Sequence, residues 1–372
     1  MTPKISNIRN VLFSATKSSL FGYPLELELY RGLSVKEWHD LYDMAKSQGV
    51  AAVVWDAVAQ LPIEYHPPRP LKMKWLAITS NIETNYDIQL SNSTRLAEEF
   101  HKVGIDTFVL KGIALSKYYP IPQHRECGDL DCFLGSNYEL GNIIAEKLGA
   151  KVNRDYYRHS NFKYRQLTVE NHQFCLPIRG NREMKETELH LWQLLCRSSN
   201  NYIDNTQLIA PPADFNAIFL TYHSMTHFLT EGIKLRNICD WALFLKTEQN
   251  NIDWKEFYQI CNKLNYTRFA NILTYISTQY LGLTLENNDI STESKEHELV
   301  LNDLFEQNNI FNKGYSVWKS RFMTIKNRFT ANWKYKKIYG RSMILCIVKQ
   351  IIAFIMERKP HLITSADRNT NG

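Results

Sequence analysis

The chain has 372 residues and a mass of 43.6 kDa, enough for two or three modules with sizeable cores. A content of 44% hydrophobic and 12% aromatic residues excludes an intrinsically disordered chain, and the formal net charge is +6. The seven cysteines form no C-x-x-C pair, which favours free thiols over a disulfide framework or a zinc cluster. The amino-terminal sequence MTPKISNIRNVLFSA lacks a continuous apolar core, so we expect no signal peptide and a cytoplasmic location.

The first part of the chain is predicted to be helical. SVKEWHDLYDMAKSQGVAAVVWDAVAQL has apolar residues at helical spacing, with Gly49 as a break. A proline-rich linker follows at residues 61–70, and a long helix is expected from Met73 to Val103.

The most informative stretch is IDTFVLKGIALSKYYPIPQHRECGDLDCFL, residues 105–134. Its apolar start predicts a buried strand, Lys111-Gly112 a tight turn, and the residues from Ile113 the opening of a helix. A glycine at such a junction allows backbone N–H groups to approach a phosphate.

Asp129 and Asp131 follow in a segment that reads as a second strand. Two residues apart on a strand, they point to the same face, with Cα atoms about 6.5 Å apart. A D-x-D pair alone is also typical of a solvated strand end. The order of strand, glycine turn, helix and paired-Asp strand favours a phosphate site with Mg²⁺ between the carboxylates.

LKGIALSKYYP and RECGDLDCFL resemble the bacterial family of uncharacterised nucleotidyltransferases within the DNA polymerase-β-like superfamily. The resemblance is strongest over residues 105–135 and weaker over 35–60 and 185–245. It implies an α+β fold, in which a small mixed-sheet core is flanked by helical regions, with an NTP substrate and Mg²⁺ or Mn²⁺ as cofactor. Many members of the superfamily have Gly-Ser or Gly-Gly at the turn where this chain has Lys111-Gly112.

Superfamily sites complete the metal shell with a third carboxylate from a neighbouring strand. The candidate is Glu188 in KETELHLWQLL, where Glu186, Glu188 and His190 share one face if the segment is a strand. An acidic residue followed by Leu-His also resembles the family's second motif. His190 would orient a ligand or the acceptor hydroxyl, or else pack on Trp192.

The resemblance therefore assigns the metal to Asp129, Asp131 and Glu188, with Glu188 also taking the proton of the acceptor. The remaining nucleotide-binding candidates are Lys111, Gly112, Arg125 and Gly128. Each of the two cations is also an ordinary surface residue in the alternative interpretation.

Two further patterns lie outside this segment. Residues 156–178 alternate in a way that predicts antiparallel strands.

Residues 217–245 predict one helix, or two with a break near Gly232. His223 and His227 have the spacing of zinc ligands but lack the glutamate of the H-E-x-x-H motif. Arg236 and Asp240 suit an intrahelical ion pair, or a helix that walls the nucleotide pocket.

The C-terminal sequence is basic and aromatic. Between Gln307 and Met356 there are ten Lys or Arg residues and no acidic residue. Met343 to Met356 is apolar, but at 14 residues it is too short to span a bilayer. Three interpretations remain for residues 313–359: a final packed helix, a peripheral membrane contact, or RNA binding.

We therefore divide the chain into an N-terminal helical region (1–95), a nucleotidyltransferase core (96–210), a helical domain (211–290) and a basic C-terminal helical region (291–372). The predicted function is transfer of NMP from an NTP to an acceptor hydroxyl, with the acceptor and oligomeric state undetermined. The alternatives are a toxin-like nucleotidyltransferase that modifies protein or tRNA, and a non-catalytic nucleotide-binding or peripheral membrane protein.

Overall fold

A computed structural model describes residues 3–197, 201–306 and 331–357. Helices form most of these residues, and a small sheet lies among them. The α-helices of the described residues are α1 (Pro3–Phe21), α2 (Val35–Ser47), α3 (Ala51–Val58), α4 (Arg69–His101), α5 (Ile113–Ser116), α6 (Tyr138–Lys147), α7 (Arg182–Cys196), α8 (Ala213–Thr230), α9 (Leu235–Glu248), α10 (Trp254–Leu264), α11 (Thr267–Leu281), α12 (His297–Glu306) and α13 (Met343–Met356).

The sheet has five strands in the spatial order β3-β4-β2-β1-β5. The strands are β1 (Thr107–Val109), β2 (Leu130–Phe133), β3 (His159–Tyr164), β4 (Leu167–His172) and β5 (Leu208–Ile209). β2 is parallel to β4 and antiparallel to β1, β3 is antiparallel to β4, and β1 is parallel to β5. This small mixed sheet flanked by helices confirms the predicted α+β class.

The β3–β4 hairpin confirms the prediction of antiparallel strands within residues 156–178. Successive side chains of each strand point to opposite faces of the sheet, and residues paired across the hairpin share a face. His159 is paired with His172, and Phe162 is paired with Val169. Phe162 and Val169 are buried in a small core on one face. The histidines lie on the opposite face, together with polar residues of β2.

A larger core fills the space between that opposite face and the helices. It includes Phe133 at the end of β2 and aromatic residues of α8 and α9, such as Phe219 and Trp241. The long helix α4 serves both cores, because Trp75 packs in the larger one and Phe100 in the smaller one. Helices therefore pack over part of this face of the sheet, and polar side chains such as Glu170 stay partly exposed beside them.

The predicted strand around Glu188 is wrong, because the residues lie in helix α7. Asn181 caps this helix by accepting a hydrogen bond from the Met184 N–H at 3.1 Å. Met184, Glu188 and Leu191 are buried at helical spacing. The five-residue alternation that predicted a strand is too short to exclude a helix, whose cap and later apolar residues lie outside that window.

The predicted break near Gly232 is confirmed, since α8 ends at Thr230 and α9 begins at Leu235. Among the described residues, no helix is long and apolar enough to cross a membrane. Five of the ten basic residues between Gln307 and Met356, including Lys313 and Arg328, lie outside the described residues.

Candidate metal and nucleotide site

Adjacent strands bring three carboxylates together on one face of the sheet. Asp129 directly precedes β2, Asp131 lies within it, and Glu170 of β4 is the residue paired with Asp131. One oxygen from each of the three lies within 4.8 Å of the others. We call these three residues the acidic cluster.

Asp131 is the most enclosed member, with 2% of its surface exposed. His172 Nε2 lies 3.1 Å from its Oδ1, and Lys111 Nζ lies 3.1 Å from its Oδ2. Burial alone would raise the pKa of Asp131, but the charges of Lys111 and His172 outweigh it and hold the pKa below its usual range. Asp131 therefore stays ionised.

The other two carboxylates face a more open environment. Burial and the charge of Asp131 raise the pKa of Asp129. The pKa of Glu170 is lowered, chiefly by a hydrogen bond with His172. Glu170 has 26% of its side chain exposed, so it is accessible to a substrate.

The residues of the acidic cluster fit a hard divalent cation. Asp131 Oδ2 is buried, and its partner among the described residues is the Lys111 ammonium at 3.1 Å. Three carboxylates that converge within 4.8 Å offer only oxygen ligands, which Mg²⁺ and Mn²⁺ prefer. This donor set suits such an ion.

A second group of potential ligands shares Glu170. His159 Nδ1 and His172 Nε2 lie 3.5 Å and 3.6 Å from Glu170 Oε2. Burial lowers the pKa of His159 to about 4, so this ring is neutral near pH 7. Glu170 thus stands between the carboxylates of β2 and two imidazoles.

The Lys111-Gly112 turn lies directly beside the acidic cluster. Leu110 N–H donates to the Asp131 carbonyl at 2.9 Å, which extends the pairing of β1 with β2 up to the turn. Gly112 has φ +63° and ψ −120°, a conformation that favours glycine, and a Cβ there would lie 3.6 Å from the Asp129 carbonyl. The structure therefore places Lys111 and Gly112 beside Asp129 and Asp131.

Helix α8 contributes His223 to the same place. Its Nε2 lies 3.2 Å from Lys111 Nζ, so the lysine sits between His223 and Asp131. Burial and the nearby ammonium lower the pKa of His223 well below its usual value. His227 lies one turn further along, with its ring centroid 4.4 Å from that of His223, and contacts Glu231 at 3.0 Å. Neither histidine belongs to a group of three potential metal ligands among the described residues.

Glu188 has a structural environment that differs from the predicted one. Its two oxygens accept hydrogen bonds from the Cys175 and Leu176 N–H groups at 2.8 and 2.7 Å, and from Trp192 Nε1 at 3.0 Å. It is fully buried and belongs to neither group of potential metal ligands. Burial raises its pKa to about 7, because these donors offset only part of the desolvation. Glu188 therefore ties helix α7 to the loop after β4.

Arg125 and Asp240 form a buried ion pair instead of the predicted contacts. Arg125 Nε and Nη2 each donate to one oxygen of Asp240 at 2.8 Å, and Tyr119 Oη donates to the same carboxylate at 2.8 Å. Arg236 donates to the Glu126 carbonyl at 2.7 Å. The intrahelical Arg236–Asp240 pair is therefore wrong, and both carboxylate oxygens of Asp240 are occupied by Arg125.

The two remaining candidates, His190 and Gly128, have other described contacts than the acidic cluster. His190 is on helix α7, where its Nε2 lies 3.4 Å from Glu256. Gly128 is exposed and its carbonyl accepts a hydrogen bond from the Gln89 side chain. Its place next to Asp129 is the only feature that links it to the acidic cluster among the described contacts.

A family model described as "Uncharacterised nucleotidyltransferase" matches residues 34–282. The chain belongs to this uncharacterised nucleotidyltransferase family. The matched residues include all five strands and the whole acidic cluster, and they end before α12 and α13. No curated protein and no solved structure matches the chain significantly.

Sequence reasoning missed Glu170, His172 and His159. A signal was present, because Glu170-Asn171-His172 has the same Glu-x-His spacing as Glu188-Leu189-His190. It also lies in the segment that was predicted to form strands. The third carboxylate beside the Asp pair is therefore Glu170 and not Glu188.

Proposed function

We propose that the protein is a metal-dependent nucleotidyltransferase that moves an NMP group from an NTP to an acceptor hydroxyl and releases pyrophosphate. The observation that carries this proposal is the convergence of Asp129, Asp131 and Glu170 within 4.8 Å on one face of the sheet. Membership of a nucleotidyltransferase family supports an NTP as the donor substrate.

The three carboxylates would hold Mg²⁺ or Mn²⁺ at the end of β2. When bound, the metal neutralises charge on the triphosphate and lowers the pKa of the acceptor hydroxyl. His172 would fix the Asp131 carboxylate through its 3.1 Å contact. Lys111 would balance negative charge at the same carboxylate and lies within reach of a phosphate group bound over the Gly112 turn.

Glu170 is our candidate for the group that accepts the proton of the acceptor. It reaches solvent, and its lowered pKa keeps it ionised near neutral pH. Glu188, the candidate from the sequence, is unsuited to this role because its oxygens are buried and bonded to three N–H groups.

The proposal is tested by thermal shift and calorimetry with Mg²⁺ or Mn²⁺ and each of the four NTPs. An NTP at a hundred times its Kd should stabilise the wild type by about 2.7 kcal/mol, only when metal is present. Asp129→Asn/Asp131→Asn should abolish this effect. The matched control is Asp155→Asn, which changes an exposed aspartate. Absence of metal-dependent stabilisation by any NTP in the wild type would overturn the proposal.

A further inference from the structure

Helix α13 exposes apolar side chains around most of its circumference. Within Met343–Met356, only Met343 is buried. The exposed fraction reaches 63% at Ile344, 68% at Ile355 and 82% at Met356. The other exposed large apolar residues of this helix are Leu345, Val348, Ile351, Ile352 and Phe354. A contiguous apolar surface of this kind marks an interaction site.

The C-terminal end of α13 is attached to the loop between β4 and α7. Glu357 accepts a hydrogen bond from Gly180 N–H at 2.6 Å and pairs with Lys185 at 2.6 Å. Ala353 packs so closely on Gly180 that a Cβ at the glycine would lie 2.4 Å from the Ala353 Cβ. One edge of the helix is thereby held, while the rest of its apolar surface faces outward.

The segment before α13 is also anchored to the body of the protein. Lys334 is buried, pairs with Asp303 at 2.6 Å and donates to the Phe228 carbonyl at 2.9 Å. Ile338 packs in the larger core. The helix is therefore presented by fixed attachments at both ends.

Exposed cations lie before this helix in the sequence and within it. Lys336 and Lys337 are exposed in the anchored segment, and Lys349 is exposed within the helix itself. Glu357, already paired with Lys185, is the single acidic residue of the described segment 331–357. An anionic partner with an apolar interior complements both features.

The length of α13 suits a position along a bilayer surface. Fourteen residues at about 1.5 Å each give about 21 Å, whereas the hydrocarbon layer is about 30 Å thick. Apolar side chains would enter the boundary between headgroups and acyl chains, with lysines at the headgroup level.

We propose that α13 and the adjacent lysines form a binding surface for an anionic lipid bilayer. A second copy of the chain is a poorer partner, because a two-fold contact of this surface with itself would bring Lys349 against like charges. A nucleic acid would match the lysines but offers no apolar environment for the eight exposed aliphatic, aromatic and thioether side chains. A bilayer satisfies both the charge and the apolar area.

The test is flotation of the full-length protein with phosphatidylcholine vesicles and with vesicles that also contain phosphatidylglycerol, without nucleotide. Binding is expected only with phosphatidylglycerol and should weaken as salt rises. Ile351→Asn/Ile355→Asn should reduce it at least tenfold. Ile63→Asn is the matched control, because Ile63 is 86% exposed far from α13 in sequence and should leave binding unchanged.

A second variant tests the charged part of the surface without altering the helix. Lys336→Gln/Lys337→Gln should weaken vesicle binding about fivefold for each lysine that is replaced. This factor corresponds to the binding free energy of about 1 kcal/mol that each cation contributes near an anionic surface. The proposal is overturned if wild-type protein does not float with phosphatidylglycerol vesicles. It is also overturned if both variants bind as wild type, or if α13 variants abolish a concentration-dependent dimer and leave flotation unchanged. Because no nucleotide is used, none of these results depends on nucleotidyl transfer.

Discussion

Asp131 and Glu170 are directly paired residues in the parallel ladder of β2 and β4. Paired residues on neighbouring strands point to the same face, and neighbouring strands lie about 4.8 Å apart. The register of this one ladder therefore determines which glutamate joins the Asp pair. Shifting β4 by one residue would turn Glu170 to the opposite face and leave the acidic cluster incomplete.

The first prediction concerns Lys111. Lys111→Met should lower NTP affinity about ten- to a hundredfold, since a charged hydrogen bond to phosphate contributes about 1.5–3 kcal/mol. Calorimetry with saturating Mg²⁺ measures the change. Lys117→Met is the control, because Lys117 is exposed at the end of the neighbouring helix α5. Unchanged NTP affinity in Lys111→Met would show that this lysine serves only to balance Asp131.

The second prediction concerns the buried pair of Arg125 and Asp240. Asp240→Asn should destabilise the protein by about 3–5 kcal/mol, because it leaves the guanidinium buried without its counter-charge. Urea unfolding measures the loss. Tyr119→Phe removes a single hydrogen bond to the same carboxylate and should cost only about 1 kcal/mol.

The same variants separate a structural role of Arg125 from phosphate binding. Arg125→Met/Asp240→Leu should recover much of the stability that Asp240→Asn loses, because no charge remains buried. If Arg125 instead bound the triphosphate, Arg125→Lys would lower NTP affinity while urea stability stayed at the wild-type level.

The third prediction concerns His124, which bridges Asp56 at 2.8 Å and Glu83 at 2.9 Å. Burial would lower the pKa of His124, but the hydrogen bonds that its ring donates to the two carboxylates outweigh burial and raise the pKa. A raised pKa in the folded state stabilises the fold fully below the unfolded value of about 6.5. This contribution is lost as the pH rises through the higher folded value.

His124→Gln should therefore destabilise the protein most near pH 6, with a difference from wild type that shrinks as the pH increases toward 9. Urea unfolding across this range measures it. His39→Gln, which changes an exposed histidine of α2, should show no such trend. A His124→Gln difference that stays constant or grows with pH would contradict the bridge.

The segment from β1 to β2 could be predicted because its signals are local. A short apolar run, a glycine that adopts φ +63°, and two aspartates at strand spacing each act over a few residues. The hairpin of β3 and β4 was predictable for the same reason. The side chains that complete the site could not be predicted this way.

Long-range pairing decided what the local patterns left open. Glu170 reaches Asp131 only through the register of two strands that are separated in sequence by α6 and β3. Arg125 pairs with Asp240 although the two residues are 115 positions apart in sequence. Helical spacing had instead predicted Arg236 as the partner of Asp240. Glu188 was misplaced because five alternating residues fit either secondary structure.

The most direct test of this account compares Mn²⁺ binding to wild type, Glu170→Gln and Glu188→Gln by electron paramagnetic resonance. Glu170→Gln should bind Mn²⁺ at least about tenfold more weakly, since changes even to outer partners of a metal site commonly cost that much. Glu188→Gln should keep its Mn²⁺ affinity. The Glu188→Gln variant should lose about 1–3 kcal/mol of unfolding free energy, because the glutamine NH2 group would face a backbone N–H donor of the loop and could not accept its hydrogen bond. Wild-type Mn²⁺ affinity in Glu170→Gln, with loss of binding in folded Glu188→Gln, would contradict the account and restore Glu188 as the third ligand.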